Sequence, residues 1–297
     1  MARFILLATT LFAAAVHAAP TPQVGAPLSK QEIAAFKPFT YYARAVGCGK
    51  ERTLSWTCGD NCKANAKFKP IASGGDGATT QFWFVGYDPA LKTVIVSHQG
   101  TDTTKKEAIA TDLKFALNPL DLKLFPKVPT GLLVHAGFQE AHARSATQIL
   151  EAVKKATKQY SAKKVAIVGH SLGAALSLLD GIYLPPHFPG VSFRVIGYGM
   201  PRVGNKVFAD YVDRQKLSVT RINYGGDSVP HLPLKEMKFN HPAGEIHIHK
   251  TSGAWITCPG QENEDAQCTN KAIPNVFSGS VADHLGPFDG VTFGERC

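Results

Sequence analysis

Three features of the chain predict an α/β fold built on a mostly parallel sheet. From residue 138 onward, apolar β-branched runs alternate with helical patterns, an order that leaves helices on both faces of a largely parallel sheet. Within that region, Val165-Ala166-Ile167-Val168 runs straight into Gly169-His170-Ser171-Leu172-Gly173 and then into the helical pattern Ala174-Ala175-Leu176-Ser177-Leu178-Leu179. Ahead of it, Gln81–Tyr87 and Thr93–Ser97 read as strands joined by Asp88-Pro89-Ala90-Leu91-Lys92, which predicts an antiparallel hairpin on the N-terminal side of the sheet. No internal repeat or linker divides the 297 residues, so a single domain is expected.

Taken in order, the chain opens with Met1-Ala2-Arg3 and an apolar, alanine-rich run to Val16, followed by His17-Ala18. One positive charge, a short apolar stretch and small residues at its end predict a cleaved secretion signal over residues 1–18, with the mature domain at 19–297. The run is too short for a membrane span, and no later one approaches the ~18 apolar residues a spanning helix needs. A secreted, extracellular protein without a transmembrane segment is therefore expected. Ser29 and Glu32 form a capping-box pattern that starts a short helix near residue 30, and Pro38 separates it from a second helix over Phe39–Val46. Residues 48–80 are rich in Cys, Gly and Lys. No helix follows Gly74-Gly75-Asp76-Gly77, so that cluster reads as a turn and not a phosphate loop. Residues 102–134 are irregular, and Phe138–Tyr160 has helical periodicity ending in lysines. Strands follow at Phe193–Tyr198, Val219–Tyr224 and Glu245–His249, with a helix over Asn205–Gln215 between the first two.

Six cysteines, Cys48, Cys58, Cys62, Cys258, Cys268 and Cys297, fit an oxidising compartment. They allow fifteen pairings, and sequence alone does not choose among them. Proximity points to Cys58–Cys62 and Cys258–Cys268, leaving Cys48–Cys297, a closure of about 250 residues worth roughly 5 kcal/mol on the chain-entropy model. Zinc at Cys58 and Cys62 is the rival reading, but no second Cys or His pair stands nearby to complete a site. The net charge of +9, lowered by one when Arg3 leaves with the signal, reads as solvated lysine surface. Attraction to an anionic interface is the alternative. No aromatic residues are interleaved with these lysines as a nucleic-acid groove requires, so no nucleic-acid partner is expected.

Strand, tight turn and helix with a serine at the apex describe a nucleophile elbow of the α/β-hydrolase type. Small residues two before and two after Ser171 let strand and helix approach, and the helix N-terminus favours a developing anion. Such a serine needs a general base, and the base needs an orienting carboxylate, in the chain order Ser, Asp or Glu, His. Asp227 follows the strand ending at Tyr224, at a carboxyl end where ligands gather in these sheets. Asp180, Asp210 and Asp213 lie in helical patterns and read as solvated helix residues. Five later histidines remain open as the base: His231, His241, His247, His249 and His284. His247 and His249 share one strand face, where a strand-surface role outweighs a metal pair lacking a third ligand. For the oxyanion hole, the Leu172 amide follows the nucleophile, and Thr101 at the end of the Thr93–Ser97 strand offers an amide and a hydroxyl.

Together these pieces resemble the fungal class 3 lipase family, the secreted triacylglycerol lipases of filamentous fungi and their feruloyl esterase relatives. The matching pieces are Gly100-Thr101, Val134-His135-Ala136-Gly137-Phe138, Gly169-His170-Ser171-Leu172-Gly173 and Tyr198-Gly199-Met200-Pro201-Arg202-Val203-Gly204-Asn205. They continue with Asp227-Ser228-Val229-Pro230-His231-Leu232-Pro233, His241-Pro242-Ala243-Gly244-Glu245 and Asp283-His284. Each is weak alone; in this order, across roughly residues 40–297, they are specific. The resemblance implies Ser171 as nucleophile, His284 as base, Asp227 as its orienting acid, and Thr101 with the Leu172 amide as oxyanion hole. It implies acyl transfer on ester substrates without metal or other cofactor, with transient contact at a lipid–water interface, and it agrees with the three disulfides.

The chain departs from the family twice. An arginine often precedes the oxyanion-loop glycine; here Gln99 does, after His98, which is expected to loosen support for that loop. The lid, expected at Asp102–Thr111, carries chiefly Ile109 and two alanines as apolar residues. Such a polar lid gains little at an oil surface, so weak interfacial activation is expected. Phe115, Leu117, Leu120, Leu122, Leu124 and Phe125, with Val276 and Phe277, form a candidate acyl groove, several of them serving alternatively as core. The leading function is hydrolysis of acylglycerols. A carbohydrate-linked esterase releasing hydroxycinnamates and a catalytically inactive binding protein of the same fold are the alternatives.

Overall fold

Twelve strands are found among the described residues, 24–101 and 116–294, of the structure, a computed structural model. In chain order they are β1 (Lys69–Gly74), β2 (Trp83–Asp88), β3 (Thr93–His98), β4 (Leu117–Pro119), β5 (Leu133–His135) and β6 (Lys164–His170). β7 (Ser192–Tyr198), β8 (Gly204–Asn205), β9 (Leu217–Tyr224), β10 (Phe239–Asn240), β11 (Glu245–Ile248) and β12 (Trp255–Cys258) follow. One sheet has the order β1-β2-β3-β6-β7-β9-β11-β12, and a small second sheet the order β10-β8-β5-β4. In the large sheet, β3, β6, β7, β9 and β11 are parallel. The β1–β2 and β2–β3 pairs on one side and β11–β12 on the other are antiparallel. This is the expected α/β-hydrolase architecture, a mostly parallel sheet preceded by an antiparallel hairpin.

Burial explains why the centre forms. Every residue of β3, and every residue of β6 after Lys164, is buried, as a strand covered on both faces requires. One face packs under helices Ala146–Tyr160 and Leu172–Tyr183. The other packs under Lys37–Ala45, with Phe288 and Phe293 from the C-terminal segment. The register sets His98 of β3 opposite Gly169 and Tyr198 of β7 opposite His170, so the loops after three parallel strands converge at Ser171.

The Ser29–Glu32 capping box is present, with the Glu32 amide on Ser29 Oγ and the Ser29 amide on Glu32 Oε2. Pro38 sits in the first turn of Lys37–Ala45, where its missing N–H costs nothing. The helix expected over Phe138–Tyr160 is two helices, Ala136–Ala143 and Ala146–Tyr160, because Ser145 leaves helical geometry at φ −122°. β1 and β12 lie in stretches to which the sequence assigns no strand. β1 is a half-exposed edge strand containing Pro70, which carries no periodic apolar signal. β12 has four residues, and its outer edge is covered by Gly25 and Leu28, whose amides donate to Thr257 and Trp255 carbonyls.

Cys58–Cys62 and Cys258–Cys268 are disulfides, which answers the zinc alternative for the first pair. Cys48 is disulfide-bonded as well; Cys297 lies outside the described residues, as do the expected signal at 1–18 and the expected lid at 102–111. Among the described residues, no helix is long and apolar enough to cross a membrane.

Candidate active site

Ser171 stands between β6 and helix Leu172–Tyr183 at φ 56° and ψ −128°. A non-glycine residue there stores on the order of 1–3 kcal/mol of strain, which the surroundings must enforce. They do so through hydrogen bonds and close packing. The Ser171 amide donates to Tyr198 O at 2.9 Å, and its carbonyl accepts from Ala174 at 2.9 Å. A Cβ on Gly173 would lie 2.2 Å from His98 O, and one on Gly169 would lie 2.3 Å from Gly173 O. Strand, helix and the loop after β3 therefore touch backbone to backbone, and only glycine fits at 169 and 173. Leu172 is the first helical residue, and an amide in that position has no acceptor within its own helix. Gly100 packs against the elbow too, its Cβ position lying 2.6 Å from His170 O and 3.2 Å from Ser171 Cβ. The end of the loop described after β3 and the start of the helix thus both meet at Ser171.

His284 and Asp227 meet in a buried pair, Nδ1 to Oδ2 at 2.8 Å, with each side chain 1% exposed. A carboxylate at Nδ1 fixes the tautomer: Nδ1 carries the proton and the Nε2 lone pair is left free. That Nε2 is buried and has no hydrogen-bond partner among the described residues. The other Asp227 oxygen, Oδ1, accepts the Val229 amide at 2.8 Å. The ring of His284 lies 4.3 Å from that of His170, the residue before Ser171, and His170 Nε2 donates to His284 O at 2.7 Å. Burial, with His284 alongside, holds His170 well below its ordinary pKa, so a neutral imidazole makes this bond.

Two loops hold the pair in register. Asp283 Oδ2 accepts the Gly226 amide at 2.9 Å, and the Ser280 amide donates to Gly226 O at 2.8 Å, so the segment carrying His284 is zipped to the one carrying Asp227. Beyond Asp227, buried Arg202 donates to His231 O and Pro233 O and forms a two-pronged bond to Glu262, 2.8 Å at each oxygen. Burial pushes the Glu262 carboxyl up, but Arg202 and His241 outweigh it and hold the group well below the ordinary range. Gln99, expected to weaken the loop after β3, ties it instead: its amide donates to Phe82 O and its side chain accepts from Phe82 N, both at 2.9 Å.

The profile of the family described as Lipase (class 3) matches residues 95–237, from β3 through the elbow to the loop after Asp227. The secreted mono- and diacylglycerol lipase MDL3 of Malassezia globosa is 32% identical over 218 residues, 72% of this chain and 69% of that one. The chain belongs to the class 3 lipase family. Secreted mono- and diacylglycerol lipase 3 of Gibberella zeae is also 32% identical, over 73% of this chain and 68% of its own. The native Rhizomucor miehei lipase propeptide complex superposes with a TM-score of 0.80 at 30% identity, covering 95% of this lipase and 87% of that chain. A further neighbour, a triacylglycerol lipase whose catalytic centre is described as a serine protease triad, has a TM-score of 0.78 at 30% identity, covering 91% and 98%.

Several sequence expectations need correction in this lipase. Asp180 is not a solvated helix residue: it is fully buried, its Oδ2 2.7 Å from His98 Nε2 and its Oδ1 2.8 Å from His142 Nε2. The signal was present, since from Gly173 to Tyr183 the helix around it is buried throughout, and a carboxylate in such a helix must be partnered. His247 is buried rather than on a strand surface, its two ring nitrogens 2.7 and 2.9 Å from Gln267 O and Gly225 O. Of the candidate groove, Leu120 and Phe125 are core instead: both are packed in the main cluster, Phe125 against the rings of His142 and Tyr183. Leu117, Leu124 and Val276 are half-buried; Leu122 and Phe277 are exposed, Phe277 at 95%; Phe115 lies outside the described residues.

The buried carboxylate makes a prediction about acid. Burial raises the Asp180 pKa, but bonds and charge from His142 and then His98 outweigh it and bring it down to about 2. A carboxyl depressed on folding contributes stability that is fully present above its unfolded value, about 3.9, and lost as pH falls through the folded value. Thermal unfolding followed from pH 5 to pH 2 should therefore drop more steeply in the wild type than in Asp180→Asn. Parallel curves would refute this.

Proposed function

We propose that this class 3 lipase is a secreted, single-domain serine hydrolase of acylglycerol esters. In this reading Ser171 is the nucleophile, His284 the general base, Asp227 its orienting acid, and Thr101 with the Leu172 amide the oxyanion hole. The observation that carries the reading is the free Nε2 of His284. It is buried beside the elbow while Nδ1 is committed to Asp227, which is how a base stands before it takes a proton. Secretion is supported by the cleavable pattern at residues 1–18 and by relatives named as secreted.

Ser171 Oγ attacks the ester carbonyl as His284 Nε2 takes its proton, and Asp227 stabilises the imidazolium that forms. The carbonyl oxygen becomes an anion that the Leu172 amide and Thr101 stabilise by hydrogen bonds. His284 returns the proton to the departing glycerol oxygen. A water deprotonated by His284 then attacks the acyl-enzyme, releasing the fatty acid and restoring Ser171. Thr101→Ala, which removes the hydroxyl donor and keeps the amide, should lower kcat by roughly 10²–10³ with unchanged thermal stability. A loss below tenfold would remove Thr101 from the hole.

The substrate class is tested by assaying emulsified long-chain acylglycerol and methyl ferulate on one preparation. Acylglycerol hydrolysis is the expected result, with little acceleration as substrate passes its solubility limit, because the segment 102–111 is poor in apolar residues. Fast ferulate release without oil hydrolysis would make the enzyme a hydroxycinnamate esterase. A steep jump at the solubility limit would overturn the expectation of weak interfacial activation.

A further inference from the structure

The two oxyanion donors proposed above belong to segments far apart in sequence, the loop after β3 and the start of helix Leu172–Tyr183. Something has to fix their separation, since a donor displaced by a few tenths of an ångström no longer meets the anion. Gln99, where the family often has an arginine, bonds this loop to Phe82, next to β2. His98, the last residue of β3 and three before Thr101, touches the nucleophile helix twice. Its carbonyl lies against the first turn, where a Cβ on Gly173 would come within 2.2 Å. Its Nε2 reaches Asp180 farther along the same helix, at 2.7 Å. The other Asp180 oxygen takes His142 Nε2 at 2.8 Å, from helix Ala136–Ala143. Both histidines are buried, and one carboxylate joins three segments.

We infer that the His98–Asp180–His142 cluster is a positioning device for the oxyanion hole, in which Asp180, acting through His98, sets the loop of Thr101 against the Leu172 amide. This rests on the assignment of Thr101 and Leu172 to that hole. His98 and Asp180 touch no reacting atom in it. Their effect is on where the donor sits, so it falls on the step in which the anion forms and not on acquisition of the ester.

Four variants are compared on a soluble short-chain ester, with thermal unfolding recorded for each. His98→Leu removes the donor to Asp180, and His98→Gln returns an N–H close to the position of Nε2. Val153→Ala, in the core under helix Ala146–Tyr160, supplies a variant destabilised at a distance from the site. Ser171→Ala reports on the nucleophile. In His98→Leu, kcat should fall by about ten- to a hundredfold with KM altered less than about twofold, a loss typical of a displaced oxyanion donor. His98→Gln should recover most of it, and Val153→Ala should keep wild-type kcat despite a lower Tm. If His98→Leu does not fold, Asp180→Asn carries the same expectation for kcat and KM. A kcat within threefold of wild type in the folded variant, or no rescue by Gln, overturns the inference while leaving the proposed function intact. Activity surviving in Ser171→Ala would overturn the proposed function itself.

Discussion

Ser171→Ala should abolish ester hydrolysis while leaving a folded protein, with kcat reduced by about a millionfold, the scale seen when a triad serine is removed from a working enzyme. Retention of the fold follows from the contacts at position 171. The bonds that hold this residue are made by its backbone, to Tyr198 and Ala174, and alanine at φ 56° is no more strained than serine. His284→Ala should lose about as much as Ser171→Ala, and the double variant little more than either, because base and nucleophile act as one unit. The measurement is single-turnover hydrolysis of a soluble ester, together with labelling by a fluorophosphonate that reacts only with an activated serine. Residual activity within a hundredfold of wild type would mean that the nucleophile lies elsewhere. Labelling of Ser171→Ala at the wild-type rate would mean the same.

The elbow was legible because all of its parts are neighbours in the chain. Strand, turn and helix follow one another between residues 164 and 183, and the glycines needed for close approach stand two before and two after the serine. The parallel centre of the sheet was legible for a related reason: strands buried on both faces, such as β3 and β6, are written as unbroken apolar runs. β1 and β12 were not, since edge strands with half-exposed or four-residue patterns carry no periodic signal. Asp227 stood out only as an aspartate after a strand. His284 could not be told from four other histidines by spacing, because its meeting with Asp227 depends on how a loop fifty-seven residues away folds back. Resemblance to a family supplied that long-range information. It did not supply Asp180 with His98 and His142, three residues that come together from positions 82 and 38 residues apart along the chain. Nor did sequence indicate that Asp283, adjacent to His284, binds the amide of Gly226, adjacent to Asp227.

That last contact sharpens the second large prediction, because it sets a second aspartate, Asp283, next to the base without a bond to its ring. Asp227→Asn should lower kcat by about 10⁴, or roughly 5.5 kcal/mol of barrier at 1.36 kcal/mol per tenfold. The direction follows from the hydrogen bonds of the present carboxylate. Its Oδ1 accepts the Val229 amide, so an asparagine keeps its carbonyl oxygen there and turns its NH₂ toward His284 Nδ1. Nδ1 must then accept, the ring proton moves to Nε2, and the atom that should take the serine proton already carries one. Geometry is preserved and basicity at Nε2 is lost, so KM and thermal stability should change little. Asp283→Asn is the comparison. Its oxygens accept from Gly226 and from Lys250, at 2.9 and 2.7 Å, and neither bond involves the imidazole. This variant should loosen the junction of the two loops and cost no more than about tenfold in kcat, an indirect effect of the kind expected when a group supporting the geometry is weakened. A pH–rate profile separates the two further. The Asp227 variant should regain activity only where hydroxide can remove the Nε2 proton, while the Asp283 variant should keep the wild-type profile at reduced height. If Asp283→Asn proves the more damaging at every pH, the acid of the triad is the residue beside His284, and Asp227 serves to anchor Val229.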